Sequence, residues 1–283
     1  MHYVSTINPD TAQTPNGYQG HSSGFRRATF VDHTVGSVHM GTGICYLDPS
    51  GTVEPHLHSF EETFYILEGN VVVQIGDQSY LLGPGHYGLI STGVAHGWRC
   101  VSDQPVRWLE MQSPQPRPAD YSRDTFFIGG DVPANAPAPD LSDVENLGSF
   151  DESQLPQPGA PAQMEGFNPT TGVAIKMFVD RSFNAVHQSL FLIQYMPGAK
   201  IAMHDHPFEE SYYILSGEVE TECDGQVYRL GAGSVVWTSV GCLHRFTNVG
   251  STPVLWLETQ APLPPAKEVF RFEHDWAQYH ERE

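Results

Sequence analysis

Eight residues of metal-ligating type stand in this chain at one repeated spacing. The first set is His56, His58, Glu62 and His96. The second is His204, His206, Glu210 and His244, each 148 residues after its counterpart. Three imidazoles and one carboxylate suit a divalent transition metal, with Fe, Mn or Ni ahead of Co or Zn, and up to two ions per chain. Such a donor set leaves coordination positions open for substrate, water or O₂. Each carboxylate has a second use. In a dry cavity Glu62 or Glu210 can loosen from the metal and accept a proton, which makes both candidate catalytic residues.

The spacing dictates the elements that must hold these groups. Residues i and i+2 of a strand face one side, so His56 and His58 point the same way, as do His204 and His206. Each glutamate follows after a short turn. Each last histidine must arrive on a distant strand that returns beside the first, which a closed double-sheet β-barrel allows. The surroundings repeat too. Phe64-Tyr65-Ile66-Leu67-Glu68-Gly69 matches Tyr212-Tyr213-Ile214-Leu215-Ser216-Gly217. Trp108-Leu109-Glu110, with Gln112 and Pro114 after it, matches Trp256-Leu257-Glu258, Gln260 and Pro262. Two tandem copies of one domain follow.

Short β-branched or aromatic runs such as Thr63–Leu67, Val71–Ile75, Tyr87–Ile90 and Arg107–Met111 read as strands. Asp48-Pro49-Ser50-Gly51 and Gly83-Pro84-Gly85 break them. No stretch keeps a 3.6-residue apolar period, so helix is minor. The expected organisation is an N-terminal arm at 1–27, a first domain at 28–115, a proline-rich linker at 116–165, a second domain at 166–268 and a tail at 269–283. The linker's prolines lack the donor that a central strand needs. The tail has a weak helical pattern, with Phe270, Phe272 and Trp276 as anchors.

Alternation from the ligands nominates a substrate pocket. Counting by twos gives Phe64 and Ile66 from Glu62, Tyr212 and Ile214 from Glu210, Trp98 from His96 and Phe246 from His244. Pockets so lined suit a small, partly apolar or aromatic organic molecule. Glu61 and Glu209 fall on the other parity and should face outward. No inward Arg or Lys is evident, unless a bulge turns in Arg99 or Arg245 beside the last ligands. His2, His21, His33, His39, His86, His187, His274 and His280 follow no ligand spacing and read as surface or hydrogen-bonded residues.

A net charge of −19 disfavours nucleic acid and anionic membrane surfaces as partners. Cys45, Cys100, Cys223 and Cys242 show neither CxxC nor paired zinc spacing, and four cysteines are few for a disulfide scaffold of this length. No signal peptide or membrane span is visible, and the expected location is cytoplasmic.

The two halves resemble cupin domains. That family's first motif fits Gly198, His204, His206, Glu210 and Gly217, and, one residue shorter after Gly51, His56, His58, Glu62 and Gly69. Its second motif fits Gly233, Gly241, His244 and Asn248, with Ser239 in place of proline. It also fits Gly85, Gly93 and His96, with Ser91 in place of proline and Cys100 in place of asparagine. All four departures fall at structural positions. The resemblance implies an all-β chain of two tandem jelly-roll barrels. It implies a metal-dependent bicupin enzyme acting on a small-molecule substrate, with a dioxygenase as the first expectation. A decarboxylase, isomerase or ureidoglycine aminohydrolase-like enzyme, or a non-catalytic metal- or ligand-binding cupin, is the alternative. A homodimer is left open.

Overall fold

The computed structural model describes residues 1–118, 123–157, 172–265 and 269–272 of the chain. Trp276, His274 and His280 lie outside the described residues. Within them the regular structure is antiparallel strand and four 3-10 turns, with no α-helix. No helix is long and apolar enough to cross a membrane.

The chain divides into two compact units whose sequences interleave. One takes Asn8–Asp151 and Arg181–His187; the other takes Met1–Ile7, Glu152–Asp180 and Gln188–Glu283. The segment at 1–27 is therefore shared out. His2–Thr6 pairs with Ser234–Thr238 in the C-terminal unit, while Ser22–Val31 pairs with Gly41–His58 in the N-terminal one. The segment at 116–165 supplies two short outer strands to the N-terminal unit: Thr125–Phe127 pairs with His56–His58, and Leu147–Ser149 pairs with His86–Gly88.

In the N-terminal unit one 18-residue strand, Gly41–His58, turns a corner. Its first part pairs with Val106–Ser113 and its last part with His96–Cys100. The corner is Asp48-Pro49-Ser50-Gly51, where Ser50 has φ 62°. A Cβ on Gly51 would lie 2.7 Å from the carbonyl oxygens of Asp48 and Ser23, so only glycine fits there. The turn-rich sequence thus bends the strand without ending it, and carries His56 and His58 inward. The core beneath is Phe64, Ile66, Val71, Val73, Trp98 and Trp108.

The C-terminal unit has two sheets. One is ordered His2–Thr6, Ser234–Thr238, Glu209–Ser216, Val254–Ala261, Ser189–Tyr195, Val173–Val179. The other is ordered Gln226–Gly231, Glu218–Cys223, His244–Thr247, His204–Asp205, Arg271–Phe272. Phe191, Ile193, Tyr212, Ile214, Phe246 and Trp256 fill the space within. Burying each such side chain contributes about 1.5–3 kcal/mol. Of the expected tail only 269–272 is described, and there Arg271–Phe272 is a strand: Phe272 pairs with His204 and Arg271 pairs with Asp205. Both units are jelly-roll barrels.

Candidate metal centres

The strand pairing brings each ligand set together. His56 lies opposite His96, and His204 lies opposite His244. Their ring centroids are 4.2 and 4.4 Å apart. Within each triad, one nitrogen from every histidine lies within 4.8 Å of the others. Glu62 joins the first, its Oε2 being 3.2 Å from His58 Nε2 and 3.5 Å from His96 Nε2. Glu210 joins the second, with Oε1 3.3 Å from His206 Nε2 and Oε2 3.2 Å from His244 Nε2. All eight side chains are buried.

The far side of each ring is already spoken for. Nδ1 donates to the carbonyl oxygen of Glu54 from His56, of Val94 from His96, of Ala202 from His204, of Val269 from His206 and of Cys242 from His244, at 2.6–3.0 Å. His58 Nδ1 meets Thr125 Oγ1 at 3.0 Å. These bonds fix the tautomer that leaves Nε2 with its lone pair facing the centre. Burial, and then the neighbouring histidines, hold His56 and His204 well below the usual imidazole range, so both are neutral. Burial opposes ionisation of Glu62, but the close imidazoles of His58 and His96 outweigh it and hold the carboxyl far below its usual range. His206 and His244 do the same for Glu210. A buried carboxylate ringed by imidazoles needs one positive charge, and a divalent cation at the four converging atoms supplies it. His58 Nε2, His96 Nε2 and Glu62 Oε1 have no hydrogen-bond partner, as expected of atoms that face a metal. Both sets fit a metal ion.

The two centres differ in what surrounds the carboxylate. Gln112 lies across from Glu62, and Gln260 lies across from Glu210. Gln260 Nε2 donates to Glu210 Oε1 at 2.9 Å, and Tyr212 Oη donates to Glu210 Oε2 while standing 3.1 Å from His244 Nε2. In the first barrel phenylalanine (Phe64) takes the tyrosine's place, and Gln112 turns to Glu110 at 3.1 Å. There Arg27 Nε donates to Glu110 Oε2 at 2.5 Å, and Tyr18 Oη lies 3.5 Å from His56 Nε2. Burial pushes the Glu110 carboxyl up to about 7 against the pull of Arg27. Its counterpart Glu258 accepts from Trp256 Nε1 at 2.9 Å. Burial and the charge of Glu210 raise Glu258 well above the usual carboxylate value, which favours its protonated form.

A cavity of about 20 Å³ adjoins the second centre. Tyr212 and Phe246, both nominated by alternation, line it together with His204, Glu210, Glu258 and Gln260. Ile214 lies in the core beside it. Phe64, Ile66 and Trp98 pack into the core of the first barrel, where Phe64 and Trp98 meet edge to face at 5.0 Å. Phe270 also lines the cavity, 5.2 Å from His204 and 4.8 Å from His206 between ring centroids.

Several expectations need correcting. Glu61 and Glu209 do take the opposite face, yet both are buried. Backbone N–H groups of Val186 and His187 donate to Glu61 at 2.9 and 2.8 Å, and Trp237 Nε1 donates to Glu209 at 3.3 Å. An inward cation does exist, but it is Arg27, outside the repeat. Arg99 Nε instead donates to the Val132 carbonyl at 2.6 Å, and Arg245 pairs with Glu222 at 2.6 Å near the surface. Glu258 and Gln260 stood within the repeated Trp-Leu-Glu-x-Gln pattern, and that was their signal. Tyr18 and Arg27 had none, and Phe270 was marked only as an anchor of the tail.

A family model described as a cupin domain matches the chain twice, at residues 43–111 and 191–259. A polyketide synthase protein, CurC of Streptomyces cyaneus, is 33% identical over 70 residues, which is 24% of this chain and 46% of that protein. The chain thus aligns with less than half of that relative's length. Among solved structures, salicylate 1,2-dioxygenase of Pseudoaminobacter salicylatoxidans superposes with a TM-score of 0.70 at 16% identity, covering 92% of this chain and 81% of that one. Oxalate decarboxylase of Lactobacillus farciminis does so with a TM-score of 0.61 at 18% identity, covering 90% and 85%. At such identities the likeness is one of fold. With the domain matched in both halves and the ligand motif whole in each, the chain is a bicupin, a member of the cupin superfamily.

Proposed function

We propose that the chain is a metal-dependent enzyme acting on a small organic substrate, that its reaction is dioxygenation, and that the C-terminal barrel is the catalytic half. The observation that carries this reading is the cavity beside His204, His206, Glu210 and His244, which holds polar groups aimed at the same space. A bound Fe, Mn or Ni ion would supply Lewis acidity and open positions for substrate and O₂.

The chain's own residues divide the remaining work. Nδ1 bonds from His204, His206 and His244 lock the three rings against rotation. Glu210 is the proton acceptor, taking a substrate proton at Oε2. Tyr212 stays a phenol, because burial and the charge of Glu210 raise it well above its usual range. It holds Glu210 in place and can offer its proton in return. Protonated Glu258 can donate a hydrogen bond to a substrate oxygen. Phe246, Phe191, Ile193 and Trp256 wall the cavity and keep water from a reactive substrate.

A second reading is favoured by the cavity's size. About 20 Å³ is room for roughly one water. A substrate must then be very small, or it must displace Phe270. A short carboxylate, cleaved without net use of O₂, would suit such a space, and the structural likeness to an oxalate decarboxylase supports keeping this reading.

The test is reconstitution with Fe(II), Mn(II) or Ni(II), followed by O₂ and CO₂ measurements on enols, catechols and short carboxylic acids. Stoichiometric O₂ uptake that vanishes in Glu210→Gln is the expected result. CO₂ release without net O₂ uptake would replace dioxygenation by the second reading. No turnover of any substrate by fully loaded protein would overturn the enzyme reading.

A further inference from the structure

A third group of metal-ligating side chains shares no ligand with either barrel centre. One imidazole nitrogen of His2, one carboxylate oxygen of Asp224 and Cys242 Sγ all stand within 4.8 Å of one another. Three separate pieces of chain bring them together. His2 opens the edge strand that pairs with Ser234–Thr238. Asp224 and Gly225, at φ 47° and 79°, form the two-residue hairpin between Glu218–Cys223 and Gln226–Gly231. Asp-Gly at this place is the standard pairing for a turn with two positive φ values, so the carboxylate is held in a fixed position. Cys242 sits in the turn before His244 and is buried.

The hydrogen bonding around His2 points the same way. Tyr228 Oη donates to Gln226 Oε1 at 2.7 Å, so its oxygen is free to accept from His2 Nε2–H at 2.9 Å. The other ring nitrogen, Nδ1, faces Asp224 Oδ2 across 3.3 Å. The nitrogen of Met1 also reaches Asp224 Oδ2, at 2.9 Å. The cluster is not a by-product of the repeat. At the positions 148 residues earlier than Asp224 and Cys242 stand Gly76 and Val94, neither of which can ligate.

We propose that His2, Asp224 and Cys242 form a third metal site, of the zinc type, with water as the fourth ligand. Imidazole nitrogen, carboxylate oxygen and thiolate sulfur make a mixed set that Zn(II) and Co(II) accept in tetrahedral geometry. The thiol proton leaves to solvent on binding. The effect of the site is to tie the edge strand His2–Thr6 to the Asp224 hairpin.

Cobalt tests the proposal, because the barrel centres offer no sulfur. The full chain, tagged at its C-terminus and kept reduced, is titrated with Co(II) and followed in the near ultraviolet for thiolate-to-cobalt charge transfer. One equivalent giving that band is expected, both in wild type and in His204→Ala. The band should vanish in Cys242→Ser and persist in Cys223→Ser. His2→Gln and Asp224→Asn should weaken binding at that site by about tenfold or more. Cobalt saturation without a charge-transfer band, or a band that survives Cys242→Ser, would overturn the proposal. In that case His2 and Asp224 form an ion pair only.

Discussion

Tyr212 donates its phenolic proton to Glu210 and stands 3.1 Å from His244 Nε2, so one hydroxyl touches two of the four groups that ring the second centre. Phe64 occupies the matching position of the first barrel, and there Glu62 Oε1 has no partner. The ligands are the same in both barrels, and the difference between the centres comes from what holds the carboxylate.

Tyr212→Phe therefore places the first centre's phenylalanine beside the second centre's carboxylate. Metal content should stay at the wild-type level, because no ligand is removed. Turnover should fall by about 10²-fold to 10⁴-fold, the usual contribution of a positioned proton-transfer group. KM should change little. Steady-state kinetics on metal-loaded protein reads both effects. Unchanged kcat would remove Tyr212 and Glu210 from the proton path.

Metal dependence can be divided between the barrels. In protein loaded with one metal and dialysed, His56→Ala and His204→Ala should each lose one equivalent relative to wild type. Only His204→Ala should abolish turnover. Elemental mass spectrometry gives the first result and O₂ uptake the second. Loss of turnover in His56→Ala alone would move the chemistry to the first barrel.

Much of this arrangement was legible in the sequence, and the reasons are physical. His-x-His spacing and a fixed 148-residue offset bind ligands to strands, because strand alternation has a period of two. Alternation also placed Tyr212 and Phe246 on the cavity. It could not tell a wall from a plug: Phe64 and Trp98 have the right parity and fill the first barrel instead. Nor could it foresee burial on the outer face. Glu61 points away from its centre and is capped by Val186 and His187, more than 120 residues later in sequence. Arg27, Tyr18 and Phe270 reach the interiors from strands or turns outside the repeat, where no spacing announces them.

Arg27 and Glu110 make a buried pair whose removal should be asymmetric. Arg27→Met leaves Glu110 buried without its counter-charge, at a cost on the order of 3–5 kcal/mol near pH 8. The double variant Arg27→Met with Glu110→Gln should recover most of that loss. The penalty should also shrink towards pH 5. There the unfolded-state carboxyl is close to its own titration range, and the folded one, already pushed up to about 7, is protonated. Chemical denaturation of Arg27→Met, of Glu110→Gln alone and of the double variant at both pH values measures the coupling. Equal and additive losses would show that the pair contributes nothing as a pair.

Glu258 gives the opposite signature to an ordinary ion-paired carboxylate. Burial and Glu210 raise its folded-state pKa far above the unfolded value. Between those two values the folded protein binds one more proton than the unfolded chain, so this group's contribution makes stability fall as pH rises. At pH 4 the carboxyl is mostly protonated in both states and contributes little. Above the unfolded carboxyl's own range the unfolded chain has ionised while the folded one holds its proton up to its raised pKa, so in that window folding takes up a proton. Glu258→Gln keeps the shape and removes the titration. In metal-free protein the variant should match wild type near pH 4 and melt higher near pH 8, by on the order of 5 °C. The gap should open steadily from the unfolded carboxyl's pKa upward. Thermal melts across that range, with Glu110→Gln as a second titrating site for comparison, would reveal it. A gap that is constant with pH would mean that Glu258 is ionised in the folded protein, and that it cannot serve as a hydrogen-bond donor in the cavity.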